Sequence, residues 1–240
     1  MTGGAARVQR AIEQLEPLVK GLQSKSVLDI GCGTGTDSLA LAKLGCLVMG
    51  VDASPEMIAR ARLSVASAYP LVKFEVDDVT KLDTVPEGWA DLAICRGNLL
   101  PHILTTDDLR KSIAALARVT KKGGILALGW LNYIPILKSR NRLIGLSGDE
   151  KQVFLRFNDF NDDGSLDFNI VSQTFDEQTK KWKAEWQTTR LTPWQADDVG
   201  MMLAANGWEE LEIGSSLNRD DFDPDSSRDV FIFAVRGESR

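Results

Sequence analysis

Residues 26–41 read Ser-Val-Leu-Asp-Ile-Gly-Cys-Gly-Thr-Gly-Thr-Asp-Ser-Leu-Ala-Leu, and the order of their chemistry decides the fold. Val27, Leu28 and Ile30 form an apolar run suited to a central parallel strand, which is covered on both faces. Gly31, Gly33 and Gly35 then let the chain turn sharply and lie against a ligand with no Cβ in the way. A helix starting near Gly35 aims its unpaired N–H groups into the same crevice, at the strand end where open α/β sheets bind ligands. Strand, glycine turn and helix N-terminus together suit a nucleotide-like ligand.

The glycine spacing separates two kinds of ligand. A dinucleotide fingerprint places a third glycine where this chain has Thr36, so a nicotinamide oxidoreductase is disfavoured. Further along, the strand Leu47-Val48-Met49-Gly50-Val51 ends in Asp52. At the tip of a second strand a carboxylate lies beside the crevice and can accept two hydrogen bonds from a ribose diol. Its other reading is an Asx turn leading into the next helix, although Ser54 and Pro55 already supply an N-cap and a first helical residue.

The spacing Gly-x-Gly-x-Gly after Leu-Asp-Ile, with Asp37-Ser38 behind it, resembles the first motif of the class I S-adenosylmethionine-dependent methyltransferases. A second stretch, Ile94-Cys95-Arg96-Gly97-Asn98 followed by His102-Ile103, is similar to the glycine/sarcosine N-methyltransferase-like group. The resemblance covers roughly residues 26–134. It implies S-adenosyl-L-methionine as cofactor, S-adenosyl-L-homocysteine as product, and a seven-stranded Rossmann-like methyltransferase sheet of order 3-2-1-4-5-7-6. It also implies a cofactor-binding set of Asp29, Gly31, Gly33, Asp52, Ala53, Met57, Asp78, Val79, Cys95 and Arg96. In that set Asp78 takes the adenine amino group and the Val79 N–H the ring, the other reading being that one of the two aspartates, Asp77 or Asp78, caps a short helix near Thr80. Asn98, His102, Trp130 and Tyr133 are the substrate-binding candidates. No residue is an obligatory catalyst, His102 being the one candidate base. Where the resembled enzymes carry an arginine that holds the acceptor carboxylate, this chain has Leu131 before Asn132-Tyr133. Glycine is therefore not the expected acceptor and an apolar or aromatic amine is, unless Arg96, Arg156 or Arg190 replaces the clamp.

Composition narrows the class further. The chain has 240 residues, 43% hydrophobic and 26% charged, with net charge −6, which argues against a nucleic-acid partner. Cys32, Cys46 and Cys95 are an odd number in core-like positions and read as reduced thiols. One histidine and scattered cysteines make a zinc site improbable. No apolar run reaches the length of a membrane span, and the N-terminus lacks the layout of a signal peptide. The expectation is a cytoplasmic, Rossmann-like enzyme, monomer or homodimer, with a small-molecule acceptor and no metal, membrane or nucleic acid.

The remaining elements follow from periodicity. Helices are expected at 6–22, with Pro17 as a kink, and at 36–44, 55–68, 107–120 and 193–206. The run 121–124 is expected to close the fourth of these, and 134–146 to be helical with Lys138, Arg140 and Arg142 as a solvated face. Alternation over 152–160, 165–176 and 181–191 suggests an inserted three-stranded antiparallel lid. The turn Asn161-Asp162-Asp163-Gly164 reads as a hairpin rather than a calcium loop. Trp182 and Trp186 share one face, and Arg156 and Arg190 are candidates for polar contacts. The domains are thus a core of 1–146 and 192–240 and a lid of 147–191. The expected reaction is methyl transfer to nitrogen of a small-molecule amine or heterocycle, by in-line displacement with positioning rather than a strong base. The alternatives are O- or S-methylation and a cofactor-sensing module without turnover.

Overall fold

The computed structural model describes residues 2–22, 25–65 and 69–238. The first half alternates helix and strand: α1 (Thr2–Lys20), β1 (Ser26–Ile30), α2 (Thr36–Lys43), β2 (Leu47–Asp52), α3 (Pro55–Val65), β3 (Val72–Val76) and β4 (Ala90–Cys95). A 3-10 turn at Leu100–His102 precedes α4 (Thr106–Val119), β5 (Thr120–Leu131) and α5 (Ile134–Ser139). Four strands follow, β6 (Leu143–Gly148), β7 (Gln152–Phe160), β8 (Leu166–Asp176) and β9 (Lys181–Leu191). The chain closes with α6 (Ala196–Ala205), β10 (Trp208–Gly214) and β11 (Asp229–Arg236).

Seven strands form one sheet in the order β10-β11-β5-β4-β1-β2-β3. This is the expected 3-2-1-4-5-7-6 order, its sixth and seventh strands being β10 and β11 once the insert is counted. β1, β2, β3, β4 and β5 are parallel, and β11 runs antiparallel to both neighbours. β1 is buried at every position, as a strand covered on both faces must be. Leu28 and Ile30 pack with Leu109, Ile113 and Leu203 on one side. Val27 packs with Leu15, Val19 and Leu41 on the other. Alternation along one strand thus fills two helical layers.

The elements depart from expectation at several places. Pro17 lies inside a continuous α1. The expected end of the third helix, 66–68, lies outside the described residues. Residues 121–124 do not close α4, which ends at Val119: Thr120 is extended and pairs with Ala90, so β5 starts there. The insert has four strands rather than three, because Arg140 turns left-handed at φ 49° and Leu143–Gly148 pairs with β7. In β6 the apolar residues Leu143, Ile144 and Leu146 are all exposed, so no one-sided burial stamped a period of two on the sequence. Lys138 pairs with Asp225 and Arg142 with Asp159, both at the surface. Trp182 and Trp186 do share a face, but it is the outer one, where they are 48% and 65% exposed and lie against Phe175 and Phe157. Asn161 to Gly164 is a hairpin turn closed by the Asn161 N–H to the Ser165 carbonyl at 3.0 Å. No described helix is long and apolar enough to cross a membrane.

Candidate functional site

At the carboxyl ends of β1, β2 and β3 lies a cavity of about 520 Å³, lined by Gly31, Asp52, Ala53, Asp78, Val79 and Leu99 among others. Gly31 has φ +66°, and a Cβ there would meet Leu99 Cδ1 at 2.7 Å, so the cavity floor needs a glycine. Asp52 makes the Asx-turn contact of its second reading and also lines the cavity. Its Oδ1 accepts from the Ser54 N–H and its Oδ2 from the Gly33 N–H, each at 2.9 Å. The carboxylate is therefore held in place while each oxygen keeps a lone pair for a diol. Ser54 Oγ serves as the helix cap, accepting from the Met57 N–H at 3.3 Å.

The neighbouring acids divide their labour. Asp77 spends Oδ1 on the Asp78 N–H and Oδ2 on the backbone and hydroxyl of Thr84. Asp78 gives Oδ1 to the Thr80 N–H and hydroxyl, both at 2.8 Å, and leaves Oδ2 without a partner among the described residues. A carboxylate oxygen beside the Val79 backbone suits the amino edge of a heteroaromatic ring. Met57, Asp29, Gly33 and Cys95 do not line this cavity or the next.

A second cavity, of about 850 Å³, opens between the exits of β4 and β5 and the inner face of the insert. His102 lines both cavities. It is the chain's one histidine, and partial burial lowers its pKa, so the imidazole is neutral at pH 7. Asn98, at φ 70°, stitches two strand exits together: Oδ1 accepts from the Leu131 N–H at 3.1 Å and Nδ2 donates to Tyr133 Oη at 2.9 Å. A left-handed asparagine is tolerated, and such strain collects at functional sites. Tyr133 is buried, with its pKa raised by that burial. Trp130 presents its ring to the same cavity while its Nε1 donates to the Trp194 carbonyl. Gly129 faces Phe231 so closely that a Cβ would sit 2.2 Å from the ring, which is how that aromatic wall fits.

Asn132 explains its place beside Tyr133. Its Nδ2 donates to the carbonyls of Pro224 and Ser227 at 2.9 and 2.8 Å, and its N–H to the Arg228 carbonyl. It thereby fixes the loop that brings Arg228 and Asp229 to the cavity wall. Sequence reading missed both residues, and also Asn158, Phe168 and Thr189 of the insert, because their approach depends on sheet order rather than on any local motif.

Beneath the glycine turn is a charged group of three. Arg96 Nε pairs with Asp37 at 2.8 Å and its Nη2 donates to Gln14 at 3.0 Å. Asp29 is 2% exposed and accepts from Ser38 Oγ at 2.6 Å. Burial, reinforced by the Asp37 charge, pushes the Asp29 carboxyl up to about 7. The Cys95 thiol is pushed up to about 12 by burial; all three cysteines are buried and unbridged. Of the arginines expected as substitutes for the missing clamp, Arg96 and Arg156 line the second cavity. Arg190 instead pairs with Asp167 and Asp163. The cavity therefore carries charge as well as the apolar surface of Leu131 and Trp130. Among the described residues no group of His, Cys, Asp and Glu is arranged to hold a metal ion.

Comparison with known proteins agrees with this geometry. Residues 27–124 match the sequence model of the family described as a methyltransferase domain. The chain is 36% identical over 121 residues to a glycine/sarcosine N-methyltransferase of Parasynechococcus marenigrum, covering 50% of this chain and 43% of that protein. It is also 36% identical over 114 residues to a ubiquinone biosynthesis O-methyltransferase of Xanthomonas oryzae, covering 48% and 46%. The matches thus span less than half the length of either relative. The fold is similar throughout to that of an S-adenosylmethionine-dependent methyltransferase from Clostridium acetobutylicum, with TM-score 0.82, 19% identity, and coverage of 97% of this chain and 92% of that one. Residues 27–124 thus carry the sequence pattern of a methyltransferase domain, and the chain shares the fold of a solved S-adenosylmethionine-dependent methyltransferase.

Proposed function

We propose that this protein is a class I methyltransferase that moves the methyl group of S-adenosylmethionine to the nitrogen of a small-molecule amine or heterocycle. The observation that carries the reading is the junction of the two cavities at His102. Adenosine occupies the first cavity: Asp52 takes the ribose diol, and Asp78 with the Val79 N–H takes the adenine edge. Arg96 and Gly97, at the exit of β4, face the methionyl end. The acceptor occupies the second cavity, so the transferable methyl lies where the two meet. A bound sulfonium supplies the driving force, the acceptor lone pair forming a C–N bond as the C–S bond breaks, with S-adenosylhomocysteine as product. The protein's part is alignment and exclusion of water. Tyr133 and Asn98 orient the acceptor, and Trp130 and Leu131 keep the site dry. The curated relative that methylates glycine and sarcosine supports nitrogen as the acceptor atom.

A second reading is favoured by one observation, the neutral imidazole of His102 at the junction. A hydroxyl acceptor loses a proton during transfer and profits from such a base, and one relative is an O-methyltransferase. The test is a matched screen of amines and phenols with S-adenosylmethionine, reading S-adenosylhomocysteine. Release with amines that survives in His102→Gln supports N-transfer. Release with phenols alone, lost in His102→Gln, replaces it with O-transfer. Product binding with no acceptor-dependent release would make the protein a cofactor sensor.

A further inference from the structure

The inner face of the insert holds an amide that bonds to no described group and an arginine with no carboxylate partner among the described residues. Asn158 is 2% exposed and lines the acceptor cavity, yet its carboxamide makes no hydrogen bond with any described residue. Only its backbone is engaged, its N–H donating to the Arg142 carbonyl and its carbonyl accepting from Arg142 Nε. An amide on a cavity wall that bonds to no protein side chain or backbone keeps its donors and acceptor for a ligand. Arg156 stands two residues earlier on β7 and lines the same cavity. The alternation of a strand puts both on one face, roughly 7 Å apart along the chain. Arg156 Nη1 reaches only Ser147 Oγ at 3.3 Å, and its guanidinium sits 5.8 Å from the centre of the Phe154 ring. No described carboxylate pairs with it. Arg96, the cation beside the methyl-transfer junction, is by contrast committed to Asp37 and Gln14.

We propose that Arg156 and Asn158 form an anion subsite on the insert, which selects amine acceptors carrying a carboxylate or phosphate group remote from the reacting nitrogen. This rests on the N-methyl-transfer reading. Guanidinium binds either oxyanion through paired N–H groups, and the carboxamide adds one donor to the same group. At the junction Leu131, Trp130, Tyr133 and Asn98 are uncharged, and Arg228 on that wall has the Asp229 carboxylate as its electrostatic neighbour. The acid must therefore lie away from the nitrogen, toward the insert. Free glycine, with its carboxylate one carbon from the nitrogen, does not span the two sets of groups.

The experiment titrates the S-adenosylhomocysteine complex with 4-aminobutyrate, 3-aminopropylphosphonate and the neutral 4-amino-1-butanol, following ligand resonances by saturation-transfer NMR. Either acid should bind at least tenfold more tightly than the alcohol. Arg156→Gln and Asn158→Ala should each weaken that binding, Arg156→Gln by tenfold or more, with Arg156→Lys restoring part of it and the affinity for S-adenosylhomocysteine unchanged. Preference for the carboxylate or the phosphonate identifies which oxyanion the subsite serves. Equal binding of acid and alcohol, acid binding unaltered in Arg156→Gln, or no acid binding at all would overturn the subsite. Arg156-dependent binding without methyl transfer to any amine would instead leave the subsite standing and overturn N-transfer.

Discussion

The two sheets of this molecule use their faces in opposite ways. In the seven-stranded sheet both faces are covered and function sits at the strand ends, on backbone whose course is set by glycines. In the insert the strand ends are plain hairpins. The proposed subsite sits on one face, where Arg156 and Asn158 line the cavity, while the other carries Trp182 and Trp186 outward. β9 is exposed along nearly all of its length before Leu191. On the proposed reading, a cofactor common to many enzymes is met by main chain and two carboxylates, and an acceptor particular to this one by side chains on a separate surface.

Stability should divide along that line. Leu28 is fully buried in β1, and Leu28→Ala should cost about 2–5 kcal/mol in urea unfolding. If it costs no more than a change on the outer face of the insert, the contrast between the sheets fails. The buried acid beneath the glycine turn gives a second mark. Asp29 holds its proton in the fold up to about pH 7 but releases it near 4 when unfolded, so between those values the native state binds more protons. Stability then falls as pH rises through that window. Asp29→Asn should flatten the fall, as seen in thermal midpoints from pH 4 to 8, while changes in the insert leave it in place.

Smaller effects concern ligands. Asp52→Ala should weaken S-adenosylhomocysteine by about ten- to a hundredfold, roughly 1–3 kcal/mol, by calorimetric titration. An unchanged affinity in a folded variant would remove Asp52 from the ribose. Tyr133→Phe deletes one hydrogen-bonding group beside Asn98 and should raise the acceptor KM several-fold, about 0.5–1.5 kcal/mol, without altering cofactor affinity. The least change is expected from Trp186→Ala. Its ring meets Phe157 edge-on at 5.7 Å and its Nε1 donates to Asn169, so about 1 kcal/mol of stability is at stake and turnover should not move.

How much of this was legible in the sequence depended on range. The glycine turn, Asp52 at a strand end and Asn98 after β4 are local patterns, and each stands where its neighbours in sequence put it. The order of the seven strands followed from the family those patterns resemble. The fourth insert strand was hidden because Leu143, Ile144 and Leu146 lack one-sided burial and cations precede them. Arg156 was legible only as one of several arginines with a polar contact to make. Asn158 was silent altogether, since its meaning comes from Phe168 and Thr189 beside it in the sheet and from a cavity assembled out of distant segments. Asp229 reaches that cavity only because β11 pairs with β5, Leu131 opposite Asp229.

Where the insert rejoins the core, the Thr192 N–H and hydroxyl donate to the carbonyls of Pro101 and Leu104 at 2.8 and 3.0 Å, and Trp194 Nε1 donates to that of Ile103 at 2.8 Å. The stem of the insert is thus lashed to the one short turn that carries His102. A lever fixed this way delivers its tilt to its fulcrum: any shift of the insert around an acceptor reaches the place where the two cavities meet. Because linkage is reciprocal, whatever free energy this lever passes from acceptor to cofactor must also pass back, so the order in which the two arrive cannot alter the total.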